Sequence, residues 1–93
     1  MQSILQTKRE CYLCKGTQNL HYHHIFGGKN RALSEKYGFG VYLCGRHHNL
    51  SDFGVHFNNA FDLELKRKCQ EAFEKKNSRE RFMEIIGRNY LED

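Results

Sequence analysis

The sequence predicts a small α+β domain that is braced by a structural zinc ion and followed by C-terminal α-helices. Two pairs of cysteine or histidine residues are each separated by two residues, and β-rich segments lie between the pairs. Apolar residues at helical spacing follow the second pair. The 93 residues are expected to form one domain over 1–93, with a zinc-braced core at 11–57 and a helical extension at 58–93.

Cys11 and Cys14 form the first ligand pair, and Cys44 and His47 form the second. Structural zinc takes four thiolate or imidazole ligands in a tetrahedron, and this spacing supplies them. A short chain with 39% hydrophobic residues has little core and usually needs such a staple. The alternative is a set of buried free thiols.

The redox setting favours metal over disulfide. The chain opens on no signal-like segment and contains no apolar run of membrane-spanning length. We therefore expect a cytoplasmic, reducing location without membrane contact, where cysteines bind metal more often than they form disulfides.

The alternation of residues 19–26 predicts a strand, and residues 39–43 predict a second strand antiparallel to it. Such pairing would return Cys44 to the neighbourhood of Cys11 and Cys14. Residues 30–37 predict a short helix ended by Gly38, and residues 44–52 predict a turn that enters a helix.

Two helices are predicted in the C-terminal extension. The first spans residues 58–76 and carries an apolar stripe of Phe61, Leu65, Cys69, Ala72 and Phe73. Cys69 fits this stripe as a small buried hydrophobic residue. Ser78 is expected to cap a last helix that ends at Gly87 and folds back on the first.

Three histidines, His23, His24 and His48, remain once the zinc site is assigned, and we expect them around a small cleft. Strand alternation directs His23 and His24 to opposite faces, so both serve one site only at a twisted strand end or a strand edge. His48 and Asp52 would share one face of a helix. The alternative interpretation is surface histidines on an edge strand.

The frame of Cys11-x-x-Cys14, His23-His24-Ile25 and Leu43-Cys44-x-x-His47-His48 resembles the HNH nucleases, in particular small zinc-braced, phage-type members. The resemblance covers about half the chain, roughly residues 11 to 57. It implies a ββα-metal (HNH) core, a metal-dependent DNA endonuclease activity and a phage or prophage origin.

The resemblance also implies roles for individual residues. His24 matches the general base, His23 matches a ligand of the catalytic metal, and His48 matches the closing histidine of the motif. The family's middle asparagine falls near Phe39 here, so the third metal ligand is left open between Asp52 and His56. Mg²⁺, Mn²⁺ or another divalent transition metal would fit such a site.

The formal net charge of +4 suits a polyanionic partner such as DNA. Phosphate contacts are expected from Lys29, Arg31, Lys36 and Arg46. A homodimer or a protein partner is compatible with a domain of this size. Two other functions stay open: a non-catalytic zinc-stabilised nucleic-acid-binding module, and a zinc-stapled interaction protein that docks through its long helix.

Overall fold

The protein is a small α+β domain with a two-stranded antiparallel sheet and several helices. The computed structural model describes residues 3–48 and 59–91. Within these ranges the elements are β1 (Leu20–His24), a single 3-10 turn (Gly28–Asn30), α1 (Arg31–Tyr37), β2 (Gly40–Cys44), α2 (Gly45–His48), α3 (Asn59–Glu74) and α4 (Arg79–Ile86). None of the described helices combines the length and the hydrophobicity that crossing a bilayer requires.

The two strands pair in the predicted antiparallel sense. Leu20 lies opposite Cys44, and His24 lies opposite Gly40. Strand β1 is shorter than the predicted 19–26 because the backbone turns inward after Ile25. The N–H of Phe26 donates to the Ser34 hydroxyl at 3.1 Å, and the same hydroxyl donates to the Phe26 carbonyl at 2.7 Å. Ser34 therefore replaces a partner strand at this point.

The predicted helix ends are confirmed. Gly38 follows α1 with a φ of 75°, in the left-handed region that glycine adopts without strain. Ser78 begins α4, and its hydroxyl accepts a hydrogen bond of 3.0 Å from the N–H of Arg81. Gly87 follows α4 with a φ of 88°.

The core is built largely from four buried phenylalanines. Phe26 and Phe39 come from the sheet region, and Phe73 and Phe82 come from α3 and α4. The rings of Phe73 and Phe82 lie 5.8 Å apart, which confirms that α4 folds back on α3. Cys69 is fully buried on α3, as its place in the apolar stripe predicts, and burial raises the pKa of its thiol.

Residues 3–12 form an arm without a helix or strand that lies along β2. The Ser3 hydroxyl donates to the Gly40 carbonyl, and the N–H of Tyr12 donates to the Tyr42 carbonyl at 2.8 Å. The N–H of Tyr42 donates to Gln6 Oε1 at 2.7 Å.

A buried glutamine fixes the segment after α4. Gln70 is fully buried, and its Nε2 donates to Glu74 Oε2 at 2.7 Å and to Asn89 Oδ1 at 2.8 Å. Its Oε1 accepts a hydrogen bond of 2.8 Å from the N–H of Tyr90. Each polar atom of the amide is thereby satisfied inside the protein.

We predict that Gly40→Ala destabilises the sheet by about 1–3 kcal/mol. A Cβ at Gly40 would lie 2.5 Å from the ring of Tyr22. That ring cannot move freely, since it packs between Tyr42 and His24 at centroid distances of 5.2 and 5.5 Å. Urea unfolding measures the change. Gly27→Ala is the control, because a Cβ there meets nothing within 4 Å, and an equal loss in both variants would contradict the prediction.

Candidate metal centre and adjoining cleft

Cys11, Cys14, Cys44 and His47 lie together, as the spacing of the two pairs predicts. One ligand atom from each residue lies within 4.8 Å of all the others. The first pair stands on a turn after the arm, Cys44 ends β2, and His47 lies in α2. The centre therefore joins the first turn to the continuous segment of β2 and α2, and Cys14 and Cys44 are 30 positions apart in sequence.

The measured distances fit a tetrahedral zinc ion. Zn–S bonds of about 2.3 Å and Zn–N bonds of about 2.0 Å give S···S edges of about 3.8 Å and S···N edges of about 3.5 Å. The Cys14 and Cys44 sulfurs are 3.8 Å apart, and His47 Nδ1 lies 3.5 Å from Cys11 Sγ and 3.2 Å from Cys44 Sγ. Four protein ligands leave no open position, so a zinc ion here would be structural.

The turn that carries the first pair contains a residue other than glycine in the left-handed conformation. Lys15, and not Gly16, adopts the left-handed conformation, with a φ of 65°. The N–H of Lys15 donates to the Cys11 carbonyl at 2.9 Å, and the N–H of Cys11 donates to the Gly16 carbonyl at 2.8 Å. A Cβ on Gly16 would lie 3.4 Å from Cys14 Sγ, so the glycine keeps the space beside that ligand open.

The electrostatics of the sulfurs suit a cation. Burial opposes ionisation of the Cys11 thiol, but hydrogen bonds from the backbone of Cys14, Cys44 and Leu13 outweigh it and lower its pKa to about 6. The backbone of Gly16 lowers the pKa of Cys14, but the neighbouring Cys11 and Cys44 sulfurs outweigh that and raise it. Adjacent sulfurs resist carrying negative charge together, and a zinc ion removes this conflict.

The remaining histidines divide between the two faces of β1. His23 is buried, and its ring centroid lies 5.4 Å from that of His48. His24 faces the other way and contacts Glu35 and Tyr22. Because His24 is the last residue of β1, the expectation that all three histidines surround one cleft at a twisted strand end stays a prediction. Asp52 and His56, the alternative third metal ligands, lie outside the described residues. Within the described ranges, no second group of three or more metal-binding side chains gathers.

His24 lines a shallow cleft beside α1. Its Nε2 lies 2.7 Å from Glu35 Oε2. Lys29 and Arg31 line the same cleft and are exposed. Lys29 and Arg31, which are expected to contact phosphate, therefore lie in the same cleft as His24, the expected general base.

Lys36 and Arg46, the other two expected phosphate contacts, are exposed on α1 and α2. Neither of them lines the cleft beside His24. The Lys36 ammonium lies 5.4 Å from the centre of the Tyr37 ring.

Two residues of this region were not identified from the sequence. Glu35 reaches His24 from a separate element, and nothing in their spacing indicates the contact. His21 lies 5.0 Å from His48, ring centroid to ring centroid. Its position two residues before His23 on the same strand face is the signal that could have identified it.

The fold and the metal centre define the class of the protein: a small α+β domain with a Cys₃His metal site. Comparisons with protein-family models, with curated proteins and with solved structures found no match for this chain. Its function is therefore inferred from the chemistry of its own side chains.

We predict that Cys14→Ala abolishes stoichiometric zinc binding, whereas Cys69→Ala retains it. Cys14 is exposed, so its replacement removes a ligand with little loss of packing, and Cys69 is buried away from the four ligands. Structural zinc contributes on the order of 10 kcal/mol to folding, so Cys14→Ala should also lower Tm strongly. Elemental analysis and calorimetry measure both effects. Equal zinc content in the two variants would contradict the assignment of Cys14 as a zinc ligand.

Zinc retention is predicted to fall on acidification. The pKa of the Cys11 thiol is lowered to about 6 before any metal binds, and a bound zinc ion would hold the thiolate to a still lower pH. Protons and zinc compete for the ligands, and acidification must release the metal. A chromogenic chelator titrated against pH measures the release. Full retention at about pH 4 would contradict a site of this composition.

Proposed function

We propose that the protein is a metal-dependent DNA endonuclease of the HNH type, which hydrolyses phosphodiester bonds. The observation that carries this proposal is the cleft in which the imidazole of His24 adjoins the cations Lys29 and Arg31. A base beside two phosphate-binding cations is the arrangement that attack of water on a phosphodiester needs. The motif order that resembles the HNH nucleases supports the same activity.

His24 would take a proton from the attacking water. Its side chain is 17% exposed, so the ring is accessible from the cleft but largely surrounded by protein. Neutral imidazole is the side chain best suited to proton transfer near neutral pH. The hydrogen bond to Glu35 holds the ring at the end of β1.

Lys29 and Arg31 would hold the phosphate backbone against the cleft. Both side chains are exposed on the 3-10 turn and the first residue of α1, where they can reach an approaching strand. Lys36 and Arg46 would add contacts outside the cleft. Phosphate contacts carry little sequence information, so weak sequence preference follows from this arrangement.

His23 and His48 would bind the catalytic ion, with Asp52 or His56 as a further ligand. The 5.4 Å between the two ring centroids is compatible with imidazoles that share an ion. A divalent ion there, Mg²⁺, Mn²⁺ or another transition metal, would stabilise charge on the scissile phosphate and on the leaving oxygen. The Cys₃His centre would hold the fold and take no part in the chemistry.

The placement of His23 and His24 on opposite faces of β1 favours a second candidate, a zinc-stabilised nucleic-acid-binding module without catalysis. Such a module would use the same cations to bind phosphates. It differs from a nuclease in leaving every phosphodiester bond intact.

We predict that the wild-type protein nicks supercoiled plasmid with Mg²⁺, Mn²⁺ or Ni²⁺ and that His24→Ala lowers the rate about 10²–10⁴-fold. DNA binding should survive in His24→Ala, because Lys29 and Arg31 are unchanged. Gel analysis of plasmid and a salt-dependent binding assay measure the two properties. Lys75→Ala, an exposed change after the end of α3, is the control.

Zinc content must be equal in all variants, so that loss of the fold is not mistaken for loss of a base. Salt-sensitive binding with no nicking under any of the three metals would establish the non-catalytic module. Equal nicking by wild type and His24→Ala would remove His24 from the mechanism.

A further inference from the structure

Glu35 and His24 connect two elements through one short hydrogen bond. His24 is the last residue of β1, Glu35 lies in α1, and the atoms Nε2 and Oε2 are 2.7 Å apart. The side chain of His24 is 17% exposed and that of Glu35 is 50% exposed. The carboxylate is therefore the more exposed of the two partners.

The helix that carries Glu35 is fixed relative to His24. The neighbouring Ser34 is fully buried, and its hydroxyl binds both backbone polar groups of Phe26, two residues after His24. The N–H of Phe39 donates to the Ser34 carbonyl at 2.8 Å. Buried hydrogen bonds therefore fix the backbone that carries Glu35 relative to the end of β1.

The imidazole of His24 also packs against an aromatic ring. Tyr22 meets His24 edge-on, with ring centroids 5.5 Å apart and an interplanar angle of 87°. Burial raises the pKa of Tyr22 to about 12, and the negative charge of Glu35 acts in the same direction. The phenol stays neutral and acts as a packing partner, so it does not compete as a base.

We propose that Glu35 is the positioning residue of the reaction, which holds His24 with its hydrogen on Nε2 and leaves Nδ1 free of hydrogen as the basic atom. This inference rests on the proposed nuclease function. An ionised carboxylate only accepts hydrogen bonds, so the nitrogen that faces Glu35 must carry the hydrogen. In a neutral imidazole the other nitrogen is then the acceptor.

The reaction starts from the tautomer of His24 with hydrogen on Nε2. Nδ1 of His24 takes a proton from water, and the resulting hydroxide forms a new bond to phosphorus. The bond between phosphorus and the leaving oxygen breaks, and that oxygen takes a proton from solvent. The imidazolium formed on His24 is stabilised by the charge of Glu35 until it returns its proton to solvent.

The test is the tautomer of His24 in Glu35→Gln, read from imidazole ¹⁵N chemical shifts by NMR in the zinc-loaded protein. The measurement is made well above the ordinary histidine pKa of ~6.5, so that the ring is neutral. Wild type should show hydrogen on Nε2. Glu35→Gln should lower the excess of the form with hydrogen on Nε2, because a glutamine amide both donates and accepts and no longer requires that hydrogen.

The control is Glu64→Gln, another exposed glutamate in an ion pair, with Lys68 at 3.9 Å on α3. It should leave the His24 signals unchanged. In the nicking assay Glu35→Gln should lower kcat about 10- to 100-fold with unchanged KM and zinc content, less than full loss of the base. Glu64→Gln should match wild type.

The two readouts separate the two proposals. A wild-type ring with hydrogen on Nδ1 overturns the role of Glu35 whatever the nicking rates are, and so does an unchanged kcat in Glu35→Gln when the wild type nicks DNA. A tautomer shift with reduced kcat supports it. A tautomer shift in a protein whose wild type never nicks DNA overturns the nuclease function and the catalytic role of Glu35 with it.

Discussion

The Cys₃His centre is the constraint on which the rest of the structure depends. It joins the turn at Cys11 and Cys14 to the end of β2 and to α2. Holding the ends of a loop of about thirty residues together costs conformational entropy. A zinc ion bound by the four residues would supply that free energy on folding, because the unfolded chain has no preformed site.

The centre also decides where the neighbouring side chains lie. His47 Nδ1 turns toward the sulfurs, whereas the next residue, His48, packs against the rings of His21 and His23. A one-residue step in a helix rotates the side chain by about 100°. A metal ion bound by His47 would therefore fix the direction of His48 as well.

The side chains of β1 alternate between the two faces of the sheet, and the two faces have different chemical surroundings. One face presents His21 and His23 to His48, and the other presents His24 to Glu35 and the cleft. The register with β2 makes this separation firm, because a slip of one residue would exchange the faces. The same alternation explains how consecutive histidines take different surroundings.

Local patterns were sufficient to predict much of this protein. Ligand spacing identified the four metal-binding residues, alternation identified the strands, and Gly38, Ser78 and Gly87 marked helix ends. These signals work because each depends on neighbours within one element or one turn.

Long-range contacts could not be predicted in the same way. Glu35 meets His24 across 11 positions, and Gln70 meets Asn89 across 19. No periodicity links such residues, because tertiary packing alone sets their distance. Lys15 adopts the left-handed conformation although a glycine, Gly16, follows it. The backbone hydrogen bond from Lys15 to the Cys11 carbonyl holds this turn, against the preference of residues with a side chain for negative φ.

The N-terminal arm has a consequence for self-association. In an antiparallel pair, alternate residues of each strand direct their backbone groups away from the partner. The outward carbonyl of Gly40 and both outward groups of Tyr42 are already hydrogen-bonded to Ser3, Gln6 and Tyr12. That border of the sheet is therefore closed to β-augmentation, and copies of the chain cannot extend the sheet laterally through β2.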